Sequence, residues 1–97
     1  MENTEELTGL AKEVDKILKE ELRKKHIQQD FAEARVYNVK SIGVQGDQRT
    51  YAYPAEITLF LRKNFIWEPK FLSELSNKIT NEIKDINRVV YVTAIRS

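Results

Sequence analysis

The run from Thr50 to Arg62 constrains this chain more than any other stretch. Tyr51, Tyr53, Ala55, Ile57, Leu59 and Leu61 recur at every second position, with Thr50, Ala52, Glu56, Thr58 and Arg62 between them. Period-two alternation of that length marks a β-strand with one buried face, because successive side chains point to opposite sides of a sheet. Such a strand needs partners along its edges and a layer over its apolar side. Pro54 has no N–H to donate, so at that point the strand is expected to be an edge or to have an open side.

Two amphipathic helices are available to supply the layer. Asn3-Thr4-Glu5-Glu6 reads as a helix start, with Asn3 as the cap and Glu6 in the capping-box position. Leu7, Leu10, Ala11, Val14, Ile17, Leu18 and Leu22 then form an apolar stripe opposite Lys12, Glu13, Lys16, Lys19, Glu20 and Lys24. Gly9 weakens the first turns by up to about 1 kcal/mol relative to alanine. Pro69 fits the first turn of a second helix, whose stripe is Phe71, Leu72, Leu75, Ile79 and Ile83. Residues 63–68 read as a connector, with Trp67 anchoring it against the second helix.

From Glu33 to Val44 the chain is strand-like, and a shift of apolar parity near Tyr37-Asn38 suggests a bulge. Gly46-Asp47 supplies the turn into the alternating strand. Arg88 to Ile95 reads as a last strand, apolar on both faces at Val89, Val90, Tyr91 and Val92, hence covered on both. The expected fold is α+β: residues 1–97 as a single α-β-β-α-β two-layer domain. Its sheet would be three-stranded and mainly antiparallel, with two helices on one face. The other sheet face would then be left for an interface.

Composition removes several classes of chemistry. The chain has no cysteine and one histidine, which excludes disulfides, thiolate metal sites, a cysteine nucleophile and a multi-histidine metal site. A formal net charge of +1 speaks against binding nucleic acid through long-range phosphate attraction. The N-terminus has no apolar signal core and no apolar run reaches the roughly 18 residues needed to cross a bilayer, so a cytoplasmic protein is expected.

The segment Gly43-x-x-Gly46-Asp47-x-Arg49-x-Tyr51, followed at a distance by Asn87-Arg88-Val89-Val90-Tyr91, closely resembles the C-terminal dimerisation domain of GMP synthetase. The likeness begins at the helix Asp15–Leu22 and resumes at Pro69 and at Ile79-Thr80-Asn81-Glu82-Ile83. In that family the full enzyme makes GMP from xanthosine monophosphate (XMP), ATP and ammonia released from glutamine, with ATP and magnesium used outside this domain. The resemblance implies a homodimer and a role in holding XMP. It places Gln45 where a family residue approaches XMP, with Asp47 and Arg49 in the same turn. The family's Lys-Pro-Pro-x-Thr-Ile-Glu-Trp-Glu tail is replaced by Val92-Thr93-Ala94-Ile95-Arg96-Ser97, and Arg96 falls near the tail lysine, where an arginine can pair with phosphate.

The expected ligand-binding residues are therefore Gln45, Asp47, Arg49 and Arg96, and the expected dimer interface is Tyr51, Tyr53, Arg88, Val90 and Val92. No catalytic residue, metal ligand or cofactor is expected on this chain, and no enzyme activity on its own. Its partners would be a second copy, a separate ATP-pyrophosphatase subunit, and XMP. Two alternatives stand beside this reading. One is a stand-alone purine-nucleotide-binding domain. The other is an RNA-binding module of KH type, since Gly43-Val44-Gln45-Gly46 matches that loop's Gly-x-x-Gly. The turn reading of those residues is preferred, because in KH domains the loop joins two helices.

Overall fold

The computed structural model describes residues 4–38, 41–45 and 48–94, with residues 4, 41–45 and 48–51 described by backbone alone. Two helices and five strands follow in the order α1 (Thr4–Lys24), β1 (Phe31–Val36), β2 (Ser41–Gln45), β3 (Gln48–Leu61), β4 (Asn64–Phe65), α2 (Pro69–Glu82) and β5 (Ile86–Tyr91). The α+β class and the two-layer arrangement are as the periodicities predict. The sheet has five strands rather than three.

The alternating run is the hub. β1, β2 and β4 pair with β3 antiparallel, and β5 pairs with it in parallel after the α2 crossover. Ala55, Ile57 and Leu59 of β3 are fully buried, and Tyr53 nearly so. They meet Leu10, Val14, Ile17, Leu18 and Leu22 of α1 and Phe71, Leu75 and Ile79 of α2 in one core. Both helices thus lie on the odd-numbered side of β3. Register carries that side outward to Ala32, Ala34 and Val36 of β1 and to Val89 and Tyr91 of β5.

Pro54 accounts for the first departure from expectation. Tyr37 donates its backbone N–H to the Pro54 carbonyl, but Pro54 has none to return. The stretch expected as one bulged strand divides here into β1 and β2. Four residues, 37–40, separate the two strands, while two residues of β3, Tyr53 and Pro54, separate their partner positions. The pairing with β5 also shifts register between Tyr53 and Pro54. The open side at Pro54 is found, but β3 is central and not an edge.

The supposed connector holds the second departure. Phe60 pairs with Phe65 and Leu61 with Asn64, leaving Arg62 and Lys63 as a two-residue loop at φ 55° and 69°. Positive φ at both positions is the hairpin geometry that glycine and asparagine normally signal. Asp30 steadies the loop by accepting the Arg62 backbone N–H at 2.7 Å. Trp67 is 68% exposed and anchors nothing against α2.

Helix α1 ends on a similar device. His26 sits at φ 57°, Ile27 N–H reaches the Leu22 carbonyl at 3.0 Å, and His26 N–H reaches that of Arg23 at 3.2 Å. This is a Schellman cap with histidine at the left-handed position, and Ile27 packs against the core just beyond it. Glu21 is buried, with Lys24 Nζ at 3.5 Å and Lys78 Nζ of α2 at 3.8 Å. Asn3 lies outside the described residues, so the helix-start reading is not resolved there. The last strand begins at Ile86, two residues earlier than expected, and ends at Tyr91, although Val92 still donates to the Ile57 carbonyl at 3.0 Å.

Candidate functional site

The side of the sheet away from the helices is assembled by register from three strands. Even-numbered positions of β3 bring Glu56, Thr58 and Phe60; their β1 partners are Arg35, Glu33 and Phe31; β5 adds Arg88 and Val90. Phe31 is 43% exposed, and Tyr37 and Val90 are each 41% exposed. No helix of the described residues covers them. At one end the rings of Phe31, Phe60 and Phe65 form a row, with centroids 5.8 and 4.4 Å apart. Such tilted contacts stabilise beyond simple burial.

Beside the aromatic row the face is polar but self-paired. Tyr37 donates its hydroxyl to Glu56 Oε1 at 2.9 Å, and Arg35 Nε meets Glu33 Oε1 at 3.1 Å. The bond to the Glu56 carboxylate, reinforced by burial, raises the Tyr37 hydroxyl above its ordinary pKa, with Arg35 opposing. Two carboxylates and one guanidinium thus sit on the face with local partners. Arg88 is exposed at its edge and has no ion partner among the described residues.

These placements sort the residues expected to form an interface. Arg88 and Val90 lie on the uncovered side. Val92 follows Val90 at the same parity just past the end of β5, partly buried. Tyr53 does not belong with them. It is 6% exposed and packs into the core beneath the helices, because it shares the odd parity of Ile57 and Leu59. The side chain of Tyr51 lies outside the described residues. Residues that the strand-by-strand reading missed are Phe31, Tyr37, Glu56, Phe60 and Phe65. Only cross-strand register brings them together, and the sequence carries no local signal of it.

The expected XMP residues are less accessible to description. Gln45 pairs with Gln48 and Arg49 with Val44 in the β2–β3 ladder, which leaves two residues for the connection. Asp47 and Arg96 lie outside the described residues, as do the side chains of Gln45 and Arg49. Gly43, Val44 and Gln45 belong to β2, so the Gly-x-x-Gly match does not join two helices. The described residues contain no group of three His, Cys, Asp or Glu placed to hold a metal ion. No helix among them is long and apolar enough to cross a membrane.

A long central strand, a helix pair over one side and a crossover to a parallel last strand define an α+β module with one sheet face uncovered. Residues 15–96 match the family model described as GMP synthase C terminal domain, and the chain belongs to that family. It is 40% identical over 98 residues to a GMP synthase (glutamine-hydrolyzing) of Fusobacterium nucleatum, covering 93% of this chain and 19% of that protein. The corresponding protein of Crocosphaera subtropica is 36% identical, with 93% and 18% covered. That of the yeast Debaryomyces hansenii is 38% identical with the same coverage. The chain thus spans about a fifth of the length of the curated relatives it matches.

Proposed function

We propose that this domain is an assembly module that joins two copies of itself through the uncovered face of its sheet, and that it carries no catalysis of its own. The observation that carries the reading is the position of Phe31, Tyr37 and Val90: large apolar groups standing 41–43% exposed on a side no helix covers. A patch of that kind on a small domain is commonly an interaction site. A second copy suits it. Glu33 is neutralised by Arg35, and Glu56, bonded to the neutral Tyr37 hydroxyl, keeps a charge that an opposite copy can meet. Arg88 at the rim is placed to reach a carboxylate of the opposite copy.

The test is sedimentation of the purified chain beside Val90→Asp. The wild type should sediment as a dimer at micromolar concentration and the variant as a monomer with an unchanged fold, since an unpaired carboxylate buried at an interface centre costs several kcal/mol. A wild type that stays monomeric at high micromolar concentration would sink the proposal.

A nucleotide reading is supported by the pairing of Gln45 with Gln48, which brings those two residues together beside the β2–β3 connection. In it, the tip of the β2–β3 hairpin helps hold XMP through Gln45, Asp47 and Arg49, with Arg96 on the phosphate, within a glutamine-hydrolyzing GMP synthase whose ATP-pyrophosphatase part lies elsewhere. Titration with XMP should then shift amide resonances of residues 45–49 and leave α2 unmoved. Arg49→Ala should remove the effect, because a guanidinium stays charged at any working pH. Resonances that stay fixed at saturating XMP would refute it.

A further inference from the structure

A second feature is the outer edge of β1, which adjoins the uncovered face and shares Phe31, Glu33, Arg35 and Tyr37 with it. Among the described residues β1 pairs with β3 alone, so its other edge is open. Tyr37 bonds toward β3 through its N–H, and in an antiparallel ladder alternate residues bond to alternate sides. The backbone groups of Ala32, Ala34 and Val36 therefore point out of the sheet. An unshielded strand edge is a template for another strand, and proteins usually blunt it. Here α1 packs over Ala34, which is 8% exposed, and leaves Ala32 and Val36 half-buried. Between α1 and β1 runs a groove of about 510 Å³, continued by a second of about 360 Å³ toward Tyr37. Small residues leave that space: Thr8 and Ala11 from the helix, Ala32 and Ala34 from the strand.

The rim of the groove is basic. Lys12, Lys16 and Lys19 recur at helical spacing along it. Asp15 is held by Lys19 at 2.9 Å and Glu33 by Arg35 at 3.1 Å. Lys12 and Lys16 form no ion pair among the described residues, and although Glu13 and Glu20 border Lys16 on its far side, the groove rim carries a net positive charge.

We propose that this groove takes an extended acidic segment of a partner protein, which adds as a strand to the free edge of β1 with its carboxylates toward Lys12 and Lys16. Backbone bonding to Ala32, Ala34 and Val36 would supply pairing, and the small floor would admit alternate side chains, as in other cases of strand addition. Charge selects the occupant. A second copy pairing β1 with β1 across a two-fold axis would bring two rows of lysines face to face, which is repulsive, whereas an acidic strand neutralises the row. A nucleic acid would satisfy the lysines but not the alternating N–H and C=O groups of a strand edge.

The test uses a fluorescent peptide alternating glutamate and threonine, titrated into the full chain and followed by anisotropy and by amide resonances. The peptide should bind, shift Ala32, Ala34 and Val36 while leaving Val90 unmoved, and weaken with added salt. Lys12→Glu combined with Lys16→Glu should weaken it about tenfold, since exposed rim charges steer such encounters. The same peptide methylated on alternate backbone nitrogens should not bind, which keeps the test sound should the double variant fold poorly. Equal binding of the methylated peptide, tighter binding of a short oligothymidylate, or no binding at millimolar peptide would each overturn the proposal.

Discussion

The two sides of β3 are built from the same fourteen residues and do different things. On the odd side Ala55, Ile57 and Leu59 are sealed beneath two helices with no exposure at all. On the even side Pro54, Glu56 and Phe60 stay partly open, and the exposed apolar groups come from the flanking strands. The odd side is legible in one strand because the chain itself supplies the cover. The even side becomes a surface only when three strands are laid in register. A strand that alternates cleanly therefore names its own core but not the surface on its other side. Tyr53 shows the cost of ignoring parity: an aromatic in the right strand, it was expected at an interface and lies in the core.

The largest expected effect tests this division directly. Ile57→Ala should cost about 2–5 kcal/mol in a urea melt, since it opens a cavity in a fully buried site. Val90→Ala, measured at concentrations too low for association, should stay within about 0.5 kcal/mol of wild type. Comparable losses at the two sites would mean that the even side is also needed within a single copy.

Tyr91 sharpens the odd side at its margin. Its ring packs against the core while its hydroxyl donates to the Ile66 carbonyl, pinning the segment after β4 to β5. Tyr91→Phe should cost about 1 kcal/mol by leaving that carbonyl without its partner. Burial raises the Tyr91 pKa, and the hydroxyl must keep its proton to donate to the Ile66 carbonyl. The neutral phenol is thus favoured in the folded chain. Its contribution should be whole below the ordinary tyrosine value of about 10 and be lost as pH rises through the raised folded value. Urea midpoints across that alkaline range should fall more steeply for wild type than for Tyr91→Phe, and parallel slopes would deny Tyr91 the effect.

Two smaller changes touch neither side and set the baseline. His26→Gly should stabilise by about 1 kcal/mol, because a left-handed residue other than glycine is strained. Gly9→Ala should stabilise by up to about 1 kcal/mol, since a Cβ there meets no atom within 4 Å. Both should raise the thermal midpoint and leave sedimentation unchanged. A shift in association with either variant would show that α1 and the uncovered face are coupled.

Much of the fold was legible because its signals are periodic. The stripes of α1 and α2, Pro69 at a helix start and the alternation of β3 each act locally and agree with one another. What escaped reading was set by single backbone events. The parity shift near Tyr37-Asn38 and Pro54 signalled an interruption, but not that it would divide the stretch into two strands. Arg62 and Lys63 form a tight hairpin with none of the glycine or asparagine that usually announces one, so β4 passed for a connector. His26 caps a helix where glycine would have been the cue. The candidate site was legible only in part. Val90 was singled out from the doubly apolar last strand and lies on the uncovered side, whereas Phe31, Tyr37 and Glu56 sit far apart in sequence, and the Tyr37–Glu56 bond has no trace in composition or spacing.

The hub arrangement of the sheet has a consequence for how the chain opens and how it is made. Each outer strand is hydrogen-bonded to β3, and the pairings resolved among the described residues all include it. An outer strand can peel away without unzipping another, so the amides of β3 that face β5 should be among the last to exchange with solvent. Protein synthesis meets the same wiring in reverse. A nascent chain that has emerged only through β3 can form its antiparallel pairings with β1 and β2. The parallel slot stays vacant until β5, which follows α2 in the chain, has left the ribosome.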